Sequence, residues 1–459
     1  MKKTLLLTIV LFTVHLHAQC WDKVSVGAAH TVAVKDDGTL WSWGANNNAQ
    51  LGNGFFMDTN HPEQVGIDAD WVMVSAGSWH SAAIKTNGTL WLWGDNSSTQ
   101  LGMGEDSWPL EPAQLGTDTD WVFVDCGVAY TVAIKTDGTL WAWGDDVYGQ
   151  LGVNQFSGHE PYPVQVGTDT NWKQVAAGDL FTMGVKTNGT LWAWGTSHSG
   201  QFGSGSTEEF EESYLPIQIG TDTDWNYAEA SRNEAAAIKI NGTLWMWGRN
   251  DYGQLGIGTT TDSNIPVQVG TDTWQDVLLS KNYQFQFSAG IKTNGSLWTW
   301  GYNEFYQLGN GTTTNYNVPT PVLAGTSFTA CSAGESFSAA VKDNGQLAIW
   351  GAGNGSGYFG FGNTNVYTVP GTLGCNGLNV KDNILQNLYL YPNPVTNILT
   401  INNPNGITID SIAVYDITGK IVLKQETSLN INVQQLPQGV YLLKINTQNG
   451  TSNYKFIKQ

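Results

Sequence analysis

Three observations predict an all-β chain: a seven-bladed β-propeller followed by a small C-terminal Ig-like β-sandwich. The motif Leu-Trp-x-Trp-Gly recurs at nearly constant spacing through most of the 459 residues. Asn-Gly or Asp-Gly pairs recur in phase with it. Beyond residue 388 tryptophan disappears, and short alternating apolar runs replace it. The composition agrees, since 54 glycines, 21 tryptophans and only 13% charged residues suit short strands joined by tight turns.

The chain begins with a segment that reads as a secretory signal peptide, residues 1–18. Lys2 and Lys3 precede an apolar run, Leu5 to Val14, that is too short to span a bilayer. Cleavage is expected between Ala18 and Gln19. No later stretch is long and apolar enough for a transmembrane helix, so the mature chain is expected to be soluble. Without its leader the chain carries a net charge of −21, and the part before residue 388 is near −23. That field repels phosphate backbones, which argues against nucleic acid as a partner.

Residues 19–374 hold the repeat. Leu-Trp-x-Trp-Gly ends at Gly44, Gly94, Gly144, Gly195, Gly248 and Gly301, with a degenerate copy at Leu347–Gly351. Gln-Leu-Gly, or a close variant, follows each copy, as at 50–52 and 100–102. Gly-x-Asp-x-Asp/Asn-Trp closes at Trp71, Trp121, Trp172 and Trp225. Each unit reads as four strands. In one unit, Trp71–Ser75 is the first, His80–Lys85 the second and Thr89–Gly94 the third. The fourth lies near Pro62–Gly66 in the unit before. The Asn-Gly or Asp-Gly pair accepts positive φ at both positions, which predicts a two-residue hairpin between the second and third strands. One unit cannot bury its own aromatic face, so several must stack and close radially. Packing between blades then accounts for 19 of the 21 tryptophans; Trp79 and Trp108 fall outside the pattern.

These residues resemble the regulator of chromosome condensation repeat family. The likeness rests on Gly27-x-x-His30-Thr31, the Asn-Gly turn, Leu-Trp-x-Trp-Gly and Gly149-Gln-Leu-Gly152, over about residues 21–374. It implies a seven-bladed propeller. The fifth unit departs at Ser231-Arg-Asn-Glu-Ala and the sixth has four extra residues before Ile291, both expected as local bulges. Members with nucleotide-exchange or chromatin roles need a compartment that the leader and the acidity disfavour. The plant ultraviolet-B photoreceptor clusters Trp and Arg in Gly-Trp-Arg-His-Thr copies, whereas here only Trp79 matches and no Arg follows it. A secreted relative type, the β-lactamase-inhibiting propeller, binds protein through loops on one face and is closest in compartment.

A closed ring makes the start and end of the array neighbours. Cys20 precedes the first unit and Cys375 follows the last, and an exported chain lives where disulfides persist, so a Cys20–Cys375 bridge is expected. The rival reading, a lipidated Cys20, is disfavoured by the bulky polar Gln19 before it. Cys126 and Cys331, both in first strands, are expected to be buried and unpaired.

Residues 375–387 read as a linker and 388–459 as a small β-domain. Tyr391-Pro-Asn-Pro394, Ile409–Asp416, Gly419-Lys420 and Leu436-Pro-Gln-Gly-Val-Tyr441 follow one another in it. That order resembles the type A C-terminal sorting domain of the type IX secretion system of Bacteroidetes. The resemblance implies the secretion machinery as a partner, passage across the outer membrane, and release or attachment at the cell surface. An ordinary Ig-like accessory module is the alternative.

No catalytic set stands out, and neither a cofactor nor a metal is expected. His30 and His80 occupy a position where other units carry Tyr130, Phe181 or Phe337, which marks a packing site. His61, His159 and His198 have no partners at metal-ligand spacing. The Asp-x-Asp turns (Asp68, Asp70; Asp118, Asp120; Asp222, Asp224) lack the further ligands of a calcium loop and read as solvated turns. Variation concentrates between each Trp-Gly and the next fourth strand, where a rigid scaffold would position function. Those segments carry Phe55, Phe56, Trp108, Phe156, Tyr162, Phe210, Tyr214, Tyr316 and Tyr367, the candidate partner-binding residues. Glu105, Asp106, Glu208, Glu209, Glu211 and Glu212 accompany them. Aromatics on one rim suit contact with a protein or a glycan, or else cap blade ends. The expected function is an extracellular binding module. The alternatives are a polysaccharide-active enzyme with paired acids on one face, and a purely structural surface protein.

Overall fold

The computed structural model describes residues 20–459 apart from 155–157, 209, 282–285, 353–356, 376–388, 404–407, 417–419, 426–427 and 448–449. The expected leader, its cleavage site and almost all of the expected linker lie outside the described residues.

The repeat folds into antiparallel units of four strands, each in chain order. The third is typical: Trp121–Cys126, Tyr130–Lys135, Leu140–Asp145 and His159–Gln165. Five units are separate four-stranded sheets. The fifth and sixth merge into one seven-stranded sheet, because the 17-residue strand Ser263–Leu279 is the last of one and the first of the next. First strands neighbour first strands around the array. Trp21–Val26 touches both Trp71–Ala76 and Phe328–Ala333, so the array is a closed ring of seven units.

The turn between second and third strands differs from the sequence expectation. In the second unit Gly88 N donates to Lys85 O at 2.9 Å, and Lys85 N donates to Thr89 O at 3.1 Å. The loop is therefore three residues, Thr86-Asn87-Gly88, a tight turn plus a glycine bulge. Only the glycine takes positive φ, +77° at Gly88. The residue before it serves through its side chain: Asn87 Oδ1 accepts Thr89 N at 3.1 Å and Thr89 Oγ1 at 2.7 Å. A Cβ on Gly88 would sit 2.1 Å from the Thr119 carbonyl oxygen, so no other residue fits.

That turn also stitches the ring. Gly88 O accepts the N–H of Trp121, the residue that opens the next unit. The same bond recurs at every seam, and Trp21 N donates to Gly345 O at 2.9 Å across the last one. The Cys20–Cys375 disulfide spans that last seam, joining residues 355 positions apart in the sequence. Cys126 and Cys331 are buried and unpaired.

The repeated motifs explain themselves at the seams. The second Trp of each Leu-Trp-x-Trp-Gly copy is fully buried. Trp143 Nε1 donates to Gln100 O of the preceding unit at 2.9 Å, and Thr131 Oγ1 donates to the same carbonyl. Gln-Leu-Gly thus supplies a buried acceptor for the neighbouring blade. Its glycine is required because a Cβ on Gly102, at φ +70°, would lie 2.8 Å from the Trp143 ring.

A bulge follows the opening aromatic residue in every unit, as at Trp71/Met73 and Trp225/Tyr227, and is not peculiar to the fifth and sixth. Ser231–Glu234 keeps the ordinary tight turn, with Ser231 N donating to Glu234 O at 3.0 Å. The insertion in the sixth unit falls largely on residues outside those described.

The Asp-x-Asp turns are not simply solvated. Lys135, which ends a second strand, places Nζ 2.5 Å from Asp118 Oδ2 and 3.3 Å from Asp120 Oδ1. The same ammonium lies 4.7 and 5.0 Å from the ring centroids of Trp121 and Trp141. Lys85 and Lys239 are held the same way. A lysine between two indoles and one or two carboxylates is stabilised by both.

Beyond the ring, residues 389–459 form two sheets. One holds Tyr389–Tyr391, Ile398–Asn402 and Asn430–Asn432. The other is built on Ile409–Tyr415 and Gly439–Thr447. Leu399, Ile401, Ile412, Val414, Leu443 and Phe456 meet in a shared core. Both sequence motifs of this region are structural. Asn393 Oδ1 accepts Ile457 N at 2.9 Å, which ties the first turn to the last strand. The Tyr441 hydroxyl donates to Pro437 O at 2.8 Å.

Candidate functional site

Strand direction sorts the loops of the ring onto two faces. The regular three-residue hairpins and Asp-x-Asp turns lie at one end. The turns between first and second strands and the variable loops between third and fourth strands lie at the other. Main-chain bonds join these two sets, as in Asp95 N to Trp79 O at 2.9 Å and Asp145 N to Ala129 O at 3.0 Å. The loops that vary most in length and sequence among the units therefore share one face, called here the loop face.

The variable loops form a continuous rim. Each is bonded to the next unit at or just before its fourth strand: Gly54 N to Leu110 O, Gly104 N to Pro161 O, Asn154 N to Tyr214 O and Gly205 N to Asn264 O. Gly258 N to Asn317 O, Gly311 N to Thr368 O and Gly362 N to Asn60 O complete the circle.

The rim brings some of the expected residues together and turns others inward. Phe55, Phe56, Trp108, Tyr162 and Phe210 are exposed, Tyr162 by 61% and Trp108 by 52%. Met57, which the sequence reading passed over, is exposed by 75%. Tyr367 is half-buried. It packs in the seam against Phe359 and Phe361. Tyr316 packs beside Phe287 and Leu308. Tyr214 is half-buried, and its hydroxyl donates to Glu212 Oε1 at 2.6 Å. Tyr316 and Tyr367 begin their fourth strands opposite the glycine that closes the third, and pack on residues of their own units, whereas Tyr214, one position further along, lies against Gly149 of the preceding unit. Phe156 lies outside the described residues.

At the centre of the ring the first strands enclose a cavity of about 200 Å³. Asp125, Glu229, Tyr227 and Lys281 line it. Asp125 accepts Ser75 Oγ at 2.9 Å and Ala177 N at 2.7 Å, and Lys281 Nζ stands 3.6 Å away. Burial, together with the Asp125 charge, pushes the Glu229 carboxyl well above its usual range; its Oε2 accepts the Tyr227 hydroxyl at 3.0 Å. Burial also raises Asp276, to about 6. The sequence carried a signal for this cluster: Asp125 and Glu229 stand where other first strands have Ser25, Ser75 or Ser332. Those serines cap the N–H of the next unit's strand, as in Ser25 Oγ accepting Ala76 N at 2.9 Å.

His30 and His80 are fully buried, and burial pushes their pKa down to about 3. Each ring bonds a hydroxyl of the next unit, His30 to Ser81 and His80 to Thr131. No group of three or more His, Cys, Asp or Glu able to hold a metal occurs among the described residues. No helix among them is long and apolar enough to cross a membrane.

A family model described as an RCC1-like domain matches residues 8–324. The chain belongs to the RCC1-like domain family. A second model, described as a secretion system C-terminal sorting domain, matches residues 389–459 and marks the chain as secreted or held at the cell surface. The ultraviolet-B receptor UVR8 of Arabidopsis thaliana is 31% identical over 207 residues, 44% of this chain and 46% of that receptor. The chain spans under half the length of the curated relatives it matches. The solved structure of Prp20p from Saccharomyces cerevisiae superposes with a TM-score of 0.64 at 19% identity, covering 80% of this chain and 90% of that one. Human WBSCR16 gives 0.62 at 21% identity, covering 69% and 85%.

One departure within this RCC1-like ring bears on the rim. Asn46, Asn96, Asn250 and Asn303 each accept a leucine N–H through Oδ1 and donate Nδ2 to carbonyls of their own variable loop, as Asn96 does to Gly104 O and Ser107 O at 2.8 Å. The third unit has Asp146 instead. It keeps the first bond, to Leu151 N at 2.9 Å, but ionised it has no hydrogen to give. Burial pushes its pKa up to about 7. An unfolded aspartate titrates at about 4, so this carboxyl makes the folded state lose stability as pH rises from about 4 through about 7. Asp146→Asn is expected to stabilise the protein at pH 8 by about 1–2 kcal/mol. The gain should shrink as pH falls toward 4, as read from urea midpoints across that range.

Proposed function

We propose that this secreted propeller is a binding module that engages an extracellular protein or glycan through its loop face. Residues 19–374 would form the binding ring, 375–387 a linker, and 388–459 the sorting domain that meets the secretion machinery. The observation that carries this reading is the rim. Its loops vary in sequence on a scaffold that repeats, and they hold Phe55, Phe56, Met57, Trp108 and Tyr162 out in solvent. Large exposed aromatics held by a rigid frame favour tight contact, because little side-chain freedom remains to be lost.

The mature chain is tested on a glycan array and in a surface pull-down beside two variants. One is Phe55→Ser/Phe56→Ser/Trp108→Ser on the loop face. The other is Asp22→Asn/Asp343→Asn near the hairpin face. The loop-face variant should lose at least about tenfold in affinity for whatever is retained, in line with a small number of anchoring side chains dominating an interface. Equal loss in both variants would count against the loop face.

A second reading, hydrolysis of a polysaccharide, is favoured by the half-buried Asp125 and the buried Glu229 in the central cavity. That cavity is small beside the roughly 300–1,000 Å³ typical of ligand pockets. Three main-chain or hydroxyl donors and a lysine already engage Asp125. A Glu229→Gln change that abolished polysaccharide cleavage would establish the enzyme.

A further inference from the structure

Nineteen tryptophans are built into the seams. The two exceptions, Trp79 and Trp108, both belong to the second unit, and both lie on the loop face. The Trp79 carbonyl accepts Asp95 N there. Trp108 stands in the variable loop that also carries Glu105, Asp106 and Glu111. The third unit adjoins this loop directly: His159 Nε2 lies 3.5 Å from Glu105 Oε1, and Thr99 Oγ1 donates to Glu160 O at 3.1 Å. The Tyr162 hydroxyl lies against Gly104. The Trp108 indole, the Tyr162 phenol and a row of carboxylates therefore occupy one arc of the rim.

The charge of that arc is one-sided. The variable loops of the first four units, residues 45–59, 95–112, 145–160 and 196–212, contain twelve aspartates and glutamates and no lysine or arginine. The corresponding loops of the fifth to seventh units are different, rich in threonine and asparagine (Thr259–Thr261, Thr312–Thr314). Overall acidity cannot explain the pairing of exposed aromatics with acids on the same half of the rim.

The opposite face shows what this combination of groups holds. There, indoles and aspartates surround a lysine of the chain's own, as Trp121, Trp141 and Asp118 surround Lys135. In the variable loops of the second and third units the aromatic and acidic groups are present without a lysine or arginine, whereas the loop-face cations Arg232 and Arg249 are already paired with Asp179 and Asp251 in other units. We infer that the arc of the second and third units, centred on Trp108, Glu105, Asp106 and Tyr162, docks a polypeptide segment bearing lysine or arginine side chains. The inference rests on the loop-face reading above and names the partner chemistry. Cations stacked on exposed rings and paired with carboxylates would anchor the segment, and the acidic arc would steer it in.

The test uses the mature full chain and fluorescently labelled octalysine, with octaglutamate as the control probe, read by polarisation at low and high salt. Trp108→Ser and Glu105→Gln/Asp106→Asn should each weaken octalysine binding at least about fivefold, while Asp22→Asn/Asp343→Asn, which removes as much charge elsewhere, should change it less than about twofold. Circular dichroism should show all variants folded, because Trp108 and Glu105 are largely exposed. Equal weakening by the two charge pairs would overturn the inference, since general acidity would then account for binding. A neutral glycan released by Trp108→Ser, with octalysine unaffected, would overturn it and leave the loop-face reading standing. Loss of neither would bring down both.

Discussion

Replacing Cys20 with serine is expected to cost the folded ring several kcal/mol. The disulfide closes a loop of 355 residues, so its absence frees the unfolded chain far more than loss of a short bridge would. In the chain-entropy view a loop of that length contributes on the order of 5 kcal/mol, with measured values spread below it. Without it, the seam between the last and first units keeps only non-covalent ties. These include the Trp21 N to Gly345 O bond and the Trp21 Nε1 bond to Gly374 O at 3.2 Å. Cys20→Ser should therefore lower the guanidinium midpoint with an unchanged far-ultraviolet spectrum at low denaturant. Cys375→Ser should match it, and the double variant should be no worse than either alone. An additive double variant would mean that the two sulfurs act separately.

Trp143→Ala is expected to cost about 3–5 kcal/mol, the usual range for emptying a large aromatic site in a core. Its side chain is wholly buried between the second and third units. Removal opens a void against Gly102, which has no side chain to fill it, and takes one of two donors from Gln100 O. The exposed Trp108→Ala serves as the comparison, and its expected cost is within about 0.5 kcal/mol. Equal costs for the two substitutions in urea titrations would contradict the division of the tryptophans into seam residues and surface residues.

That division was readable from spacing alone, because a blade buries its aromatics only against another blade and the period of the motif is the period of the ring. The pairing of Cys20 with Cys375 was legible for the same reason. The details of the turns were not. Asn-Gly and Asp-Gly suit both two-residue and three-residue loops. What decides between them is the bond from Gly88 O to the next unit's Trp121, a long-range contact that no local pattern displays. The Asp-x-Asp turns are exposed as read, but their ion pairs were not foreseen because the partner, Lys135 in the third unit, lies 17 residues on and in a strand. Its recurrence at that offset was the available clue. For the candidate site, the sequence located the variable loops but could not sort their aromatics. Tyr162 faces solvent, whereas Tyr367 fills a seam. Only neighbouring blades determine which happens.

The order of strands within each unit has a mechanical consequence. The chain enters the ring beside its axis, at Trp21–Val26, and leaves it at the circumference, at Tyr367–Leu373. Traction on the tail would thus act on an outermost strand held to its sheet along one edge, the geometry most easily peeled bond by bond. Cys375 stands just where that strand ends, and its sulfur is fastened to the innermost strand of the first unit. A tug from the sorting domain is thereby shunted to the hub of the wheel before it can unzip the rim of the last blade.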